Sequence, residues 1–346
     1  MPPDRKKRSA KKITGENRES RKAKSLEAKT RNITPKQTSV AIIGAGRLGS
    51  ALALALSRSG YRIAVLVARR AQRAQLAARH ITPRPLALGA AQLNQLPDTD
   101  LLLITTPDDQ IAEVAARLAE VFAARDAARL PRRRPRRIVL HASGALPSDV
   151  LAPLGAHAFS VGSIHPLVST SDAASGASNL RGAFYCLEGE ARALQAARKI
   201  VRALGGQSFS VAERDKALYH AAAVITSGHT VALFSLATAL LARCGLSEAR
   251  ARQVLLPLLR STLDNLSSTH APERALTGTF ARADLSTVRK HLAALTDAEM
   301  SDALAIYALL GERSLRLAAR RKKFAPAVLD EIALLLYEAV KTSLDE

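Results

Sequence analysis

The sequence predicts an α/β protein, with a doubly wound, mostly parallel sheet followed by an all-α domain. Three observations carry this. Residues 40–43 form a short apolar run rich in β-branched side chains, and Gly44, Gly46 and Gly49 then stand at G-x-G-x-x-G spacing. Residues 48–59 continue as an Ala/Leu-rich helical segment ended near Gly60, and a second strand follows over 61–67. From about Glu213 onward β-branched runs almost vanish and long helical patterns take over. The expected organisation is a basic tail over 1–37, a Rossmann dinucleotide-binding domain over 38–211 and a helical substrate or dimerisation domain over 212–346.

The glycines in the first βα unit have separate jobs. Gly44 permits the tight turn, Gly46 lets a pyrophosphate approach the backbone, and Gly49 lets helix and sheet pack closely. Ala45, Arg47 and Leu48 complete the loop, and the helix N-terminus offers free N–H groups to phosphate. The second strand ends in Val65-Leu-Val-Ala-Arg-Arg70. NAD-preferring proteins usually place an acid near the end of this strand for the ribose hydroxyls; the matching position is about Val67, with no acid nearby. Arg69 and Arg70 instead suit a 2′-phosphate, which points to NADP. The structural alternative is a pair of solvent-facing arginines opening a helix.

Residues 100–107 read as another buried strand with a helix from Asp108, and Thr105-Thr-Pro-Asp-Asp109 falls at the strand's C-terminal end. Ligands of open α/β sheets gather at that edge, so Thr106 and Pro107 are expected to line the nicotinamide-ribose side. Helix capping by Thr106 or Asp108 competes with that reading. The strand over 137–141 runs into His141-Ala-Ser-Gly144, and the strand over 159–165 brings His165 and Pro166 to the same edge. A further strand at 184–188, a helix at 191–204 and a last strand at 207–211 complete the domain.

In the helical half, Lys216 and His220 lie four residues apart on one helix face, and Ser227 follows seven residues on. The helix is expected to continue over 221–241, with later breaks at Gly245, Pro257, 269–279 and Pro326. Thr296-Asp-Ala-Glu299 reads as a capping box. Thr277, Arg282, Asp284 and His291 are polar enough to wall a cleft. Residues 224–246 are the best membrane candidate, but Ser227, His229, Thr230 and Arg243 favour a buried helix of a globular domain.

Hydrophobic residues make up 47% of the 346, enough for a sizeable core, whereas aromatics are 3% with no Trp, which argues against an aromatic nucleic-acid platform. Two cysteines, Cys186 and Cys244, lie without metal-ligand spacing and indicate a reducing, cytoplasmic compartment. The net charge of +21 is concentrated in 1–37 and in Arg132-Arg-Arg-Pro-Arg-Arg137. No nucleic-acid motif accompanies it, so a solvated tail and loop are preferred to a nucleic-acid arm. No secretory signal opens the chain, and no metal site is expected.

The motifs in order are Gly44 to Gly49, Thr106-Pro-Asp108, His141-Ala-Ser-Gly144, His165-Pro-Leu167, Tyr219-His-Ala-Ala222, Thr277 to Asp284 and Val288 to His291. Together they resemble the bacterial Rossmann-like proteins with a C-terminal domain of unknown function 2520, over about residues 38–320. That family is related to pyrroline-5-carboxylate reductase, ketopantoate reductase and the 3-hydroxyacid dehydrogenases. The resemblance implies NADP binding, oxidoreductase activity and dimerisation through a helical domain like that of 6-phosphogluconate dehydrogenase. Gly228 stands where Asn is usual, Thr279 where Pro is usual and Ala283 where Gly is usual.

The expected activity is hydride transfer between NADP and a small carbonyl, imine or hydroxy compound bound between the domains. His220 is the first candidate for acid/base work and Lys216 the second, with Ser143, His165 and Ser227 orienting the substrate. A non-catalytic NADP sensor or scaffold is the alternative.

Overall fold

The computed structural model describes residues 37–128, 137–298 and 300–345. The tail over 1–36 and the run Arg132 to Arg136 lie outside them. The chain forms two compact units, the first running to Ala223 and the second starting at Val224.

The first unit is an eight-stranded sheet of order β3-β2-β1-β4-β5-β6-β7-β8. The strands are β1 (Ser39–Ile43), β2 (Arg62–Ala68), β3 (Leu86–Gly89), β4 (Leu101–Ile104), β5 (Arg137–His141), β6 (Phe159–Pro166), β7 (Phe184–Gly189) and β8 (Gln207–Phe209). Pairing is parallel from β3 through β6, β7 runs antiparallel to β6, and β8 runs parallel to β7. The expected Rossmann sheet is therefore present. β3 is the strand the sequence reading missed, because Leu-Ala-Leu-Gly is short and carries no β-branched residue.

Alternation along each buried strand divides the core into two layers. Val40, Ile42, Leu66, Leu103 and Leu140 face one side, with helices α1 (Arg47–Arg58), α4 (Ala173–Asn179) and α5 (Ala191–Ala203). Ala41, Ile43, Val67, Leu102, Ile104 and Val139 face the other, under α3 (Asp108–Ala127). Helix α2 (Ala71–Ala78) links β2 to β3. At the foot of the sheet the Arg137 guanidinium lies 4.5 Å and 4.4 Å from the ring centres of Phe122 and Phe159.

Helix α6 (Lys216–Thr226) follows, its start packed on the first unit. The second unit holds α7 (Gly228–Arg243), α8 (Glu248–Ser267), α9 (Leu285–Asp297), α10 (Ser301–Ala319) and α11 (Pro326–Asp345). Its core gathers Val288, Ala308, Leu315, Ile332 and Leu336.

Several expectations need correction here. The apolar stretch over 221–241 is not one uniform helix, since α6 and α7 meet at Ser227, whose ψ of −69° accompanies a φ of −108°. Nor is it buried among the described residues. The segment Glu213–Arg243, with mean hydropathy 1.6, is long and apolar enough to cross a membrane, yet only 6% of its most apolar window is buried. Pro257 does not break the chain but sits inside α8, as a helix can tolerate at the cost of one hydrogen bond. The Thr296 capping box is absent: Thr296 lies in the last turn of α9 with its hydroxyl on Leu292 O, and Met300 occupies the cap position of α10. Asp284, expected as part of a cleft wall, also caps α9 through the amide of Thr287.

Candidate active site

The carboxyl ends of β1, β4, β5 and β6 meet at one edge of the sheet, and the site is built there. On its cofactor side, Gly44 has φ +113°, a backbone conformation L side chains rarely adopt. Its amide and that of Ala45 both donate to Val67 O at the end of β2, at 2.8 Å and 2.7 Å. Thr105 Oγ1 donates to Gly44 O at 2.8 Å, tying the β4 end to the loop. A methyl at Gly49 would lie 2.1 Å from Gly44 O and 2.4 Å from Thr105 Oγ1, so α1 can approach only because no Cβ is there.

Gly46 differs. It is exposed, its φ of −80° suits any residue, and a methyl there would meet no protein atom nearer than Gly44 O at 4.0 Å. Nothing inside the protein requires glycine at this position; a ligand pressed against the loop would. Thr106 adds a buried Oγ1 with no partner among the described residues, and Pro107 next to it is exposed. Arg69 and Arg70 are exposed just beyond β2, with Arg70 at the cap position of α2. The loop, its free first-turn amides and these arginines fit a dinucleotide with a phosphorylated ribose.

The chemical side is a row of side chains across three strands. Register places His141 of β5 beside Ser163 of β6, and Ser163 beside Glu188 of β7. Lys216, the first residue of α6, closes over this row. Its Nζ donates to Ser163 Oγ at 2.8 Å and lies 3.6 Å from Glu188 Oε2, with 1% of the lysine exposed. Glu188 also accepts from Ser148 N at 2.9 Å, Ser148 Oγ at 2.5 Å and Ser163 Oγ at 3.3 Å. Burial holds the Lys216 ammonium below its usual range, opposed by the Glu188 charge.

Two residues along, His165 of β6 stands beside Cys186 of β7. His165 Nδ1 is 2.6 Å from Tyr219 OH, and its ring meets His220 edge-on with centres 5.4 Å apart. His220 Nδ1 is buried without a partner among the described residues. Both rings press on Gly144: a methyl there would lie 2.5 Å from His220 Nδ1 and 2.8 Å from His165 Cε1.

The turn after β5 is held by its own side chains. Ser143 Oγ donates to Asp108 Oδ2 at 2.7 Å and accepts from the amides of Ala145 and Leu146. That uses its hydrogen and both lone pairs, so Ser143 shapes the turn. His141 Nδ1 accepts from Ser143 N and its Nε2 faces Pro147 O, each at 3.2 Å. An amide can only donate and a carbonyl only accept, which fixes His141 as the neutral Nε2–H tautomer.

Burial, with the nearby Lys216 charge, pushes His141 down to about 4. Burial, then His220 and Lys216, does the same to His165. Unfolding raises each towards 6.5, so the unfolded chain binds more protons between those values. The stability due to neutral His141, about 3 kcal/mol by linkage, is present above pH 6.5 and is lost as pH falls towards 4. Urea unfolding between pH 8 and 4.5 should show that loss, and a His141→Asn variant should show less of it.

Of the residues the sequence singled out, the structure brings Lys216, His220, His165 and Ser143 together in the first unit. Ser227 belongs to the second unit and is exposed. Glu188, Asp108, Tyr219, Ser163 and Ser148 were missed as site residues. Glu188 left one signal, a carboxylate ending the otherwise apolar strand β7.

A Rossmann-like family profile matches residues 24–166, and the profile of the domain of unknown function DUF2520 matches 183–314. A Rossmann-like domain is thus followed along the chain by a DUF2520 domain. None of the curated proteins matches its sequence. Among solved structures, the chain is similar to the proposed NADP oxidoreductase BF3122 of Bacteroides fragilis. The identity is 22% over 81% of this chain and 98% of that one, with a TM-score of 0.63. Protein TM1727 of Thermotoga maritima is also 22% identical, over 88% and 99% of the two chains, with a TM-score of 0.54. A pyrroline-5-carboxylate reductase of Coxiella burnetii is 12% identical over 86% and 99%, with a TM-score of 0.48. The first two of these proteins share the fold of this chain.

Proposed function

We propose that the chain is a cytoplasmic NADP-dependent oxidoreductase acting on a small carbonyl, imine or hydroxy compound. One observation carries the reading most: the glycine loop and the Lys216–His165–His220 cluster share one carboxyl edge, joined by the Asp108–Ser143 bond between the β4 and β5 ends. When bound, the nicotinamide supplies or accepts the hydride. Gly44 to Gly49 hold the diphosphate, Thr106 and Pro107 flank the nicotinamide ribose, and Arg69 and Arg70 grip the 2′-phosphate. His220 carries the proton to or from the reacting group. Lys216, locked by Glu188 and Ser163, supplies a fixed positive field under the site.

Titration with NADPH and NADH, followed by a panel of carbonyls and imines, tests this. NADPH should bind tighter, and replacing Arg69 and Arg70 together by Ala should cost it tenfold or more, with NADH little changed. Equal affinity for both coenzymes would overturn the NADP assignment. Tight NADPH binding with no turnover across the panel would favour a sensor.

The second unit exposes apolar side chains, Val231 at 71% and Leu258 at 64% among them. We propose that a second copy of the chain covers these faces in a homodimer. Sedimentation should show a dimer that Val231→Asp weakens; a monomer at micromolar concentration would refute it.

A further inference from the structure

We propose that Tyr219 is a positioning residue that holds His165 as the Nε2–H tautomer, presenting an N–H donor to a hydrogen-bond-accepting oxygen of the substrate. The substrate half of this rests on the oxidoreductase reading above; the tautomer half does not.

Donor and acceptor strengths set the direction of this bond, and its length agrees with them. At 2.6 Å, His165 Nδ1 to Tyr219 OH is below the usual N–H···O range and within that of an O–H donor. A phenol is also the more acidic donor and an imidazole nitrogen the stronger acceptor. Tyr219 therefore donates, and the His165 proton sits on Nε2. Two packing contacts hold the phenol in place. Its ring meets His165 edge-on at 5.6 Å and Phe209 at 5.8 Å. Burial raises both the Tyr219 phenol and the neighbouring Cys186 thiol, so both keep their protons. His165 Nε2 makes no hydrogen bond among the described residues, and the residue is only partly buried.

The charged and titratable groups facing His165 come from every side: Lys216 and His220 of α6, Asp108 of α3 and His141 of β5. Burial, then the neighbouring His220 and the Lys216 charge, outweighs the Asp108 carboxylate and keeps the ring neutral. A neutral imidazole N–H polarises a carbonyl or holds an alcohol oxygen without surrendering its proton. It has nothing to offer a protonated imine, which lacks a lone pair. His165 thus selects oxygen substrates, and the proton is left to His220.

Nitrogen-15 spectra of the full chain, with His165 identified by its loss in His165→Gln, read the tautomer directly. Protonation at Nε2 alone is expected from pH 6 to 8, and Tyr219→Phe, with its circular dichroism unchanged, should give a mixture. An Nδ1–H tautomer in the wild type, or no change in Tyr219→Phe, would overturn the proposal. With NADPH, Tyr219→Phe should lower kcat on a carbonyl at least tenfold while the KM for NADPH stays put. Turnover of cyclic imines in preference to carbonyls would overturn the substrate half. Silence across both panels would sink the oxidoreductase reading, while the spectra still decide the tautomer.

Discussion

Glu188→Gln should destabilise the protein by about 3–5 kcal/mol, and Lys216→Met by only about 1–2 kcal/mol. The asymmetry comes from how each partner is supported. Lys216 is 1% exposed and has two partners, Ser163 Oγ and the Glu188 carboxylate. Without the carboxylate's charge, the buried ammonium has only neutral groups at hydrogen-bond range. Glu188 without Lys216 still accepts from Ser148 N, Ser148 Oγ and Ser163 Oγ. The double variant should therefore be more stable than Glu188→Gln alone, because it removes the stranded charge. The pH dependence has a definite sign. Burial already sets Lys216 low, and losing Glu188 lowers it further, so the unfolded chain binds the extra proton. Glu188→Gln should regain stability as pH rises from 7 towards the unfolded lysine value. Equal costs for the two single variants, or a double variant equal to their sum, would show that the pair is not coupled as drawn.

What the sequence revealed and what it hid divide along physical lines. Strands β1, β2, β4 and β5 were legible because a strand buried on both faces needs an unbroken apolar run, and the glycine spacing needs no tertiary context. Lys216 and His220 were found together because helical periodicity is local. Glu188 was not, because its value comes from β6–β7 register, which sets it beside Ser163 across an antiparallel pair. Tyr219 was hidden for the same reason. Its partner His165 is 54 residues away, and only the folded sheet edge brings the phenol to it. The exposure of α7 ran against a sound local argument: apolar helices are usually buried, yet among the described residues little covers this one. The capping box failed because Thr296-x-x-Glu299 matched a pattern at the end of one helix as readily as at the start of the next.

Replacing Gly46 and Gly49 by Ala separates folding from coenzyme binding. Gly49→Ala sets a Cβ 2.1 Å from a backbone oxygen, which no rotamer change relieves. The α1 N-terminus must shift away from the loop, at a cost of about 3 kcal/mol or more. Gly46→Ala has no such conflict. Its backbone is extended, its nearest neighbour would be 4.0 Å away, and stability should stay within about 0.5 kcal/mol of the wild type. NADPH affinity should nevertheless fall at least tenfold, because the added methyl occupies the space through which a diphosphate reaches the loop amides. Thermal melting and fluorescence titration of the two variants measure both quantities. A Gly46→Ala protein that folds normally and binds NADPH as tightly as the parent would mean that the loop keeps its glycine for some reason other than a dinucleotide. In the expected outcome, a stable Gly46→Ala protein blind to NADPH, the third glycine serves the fold and the second serves the ligand.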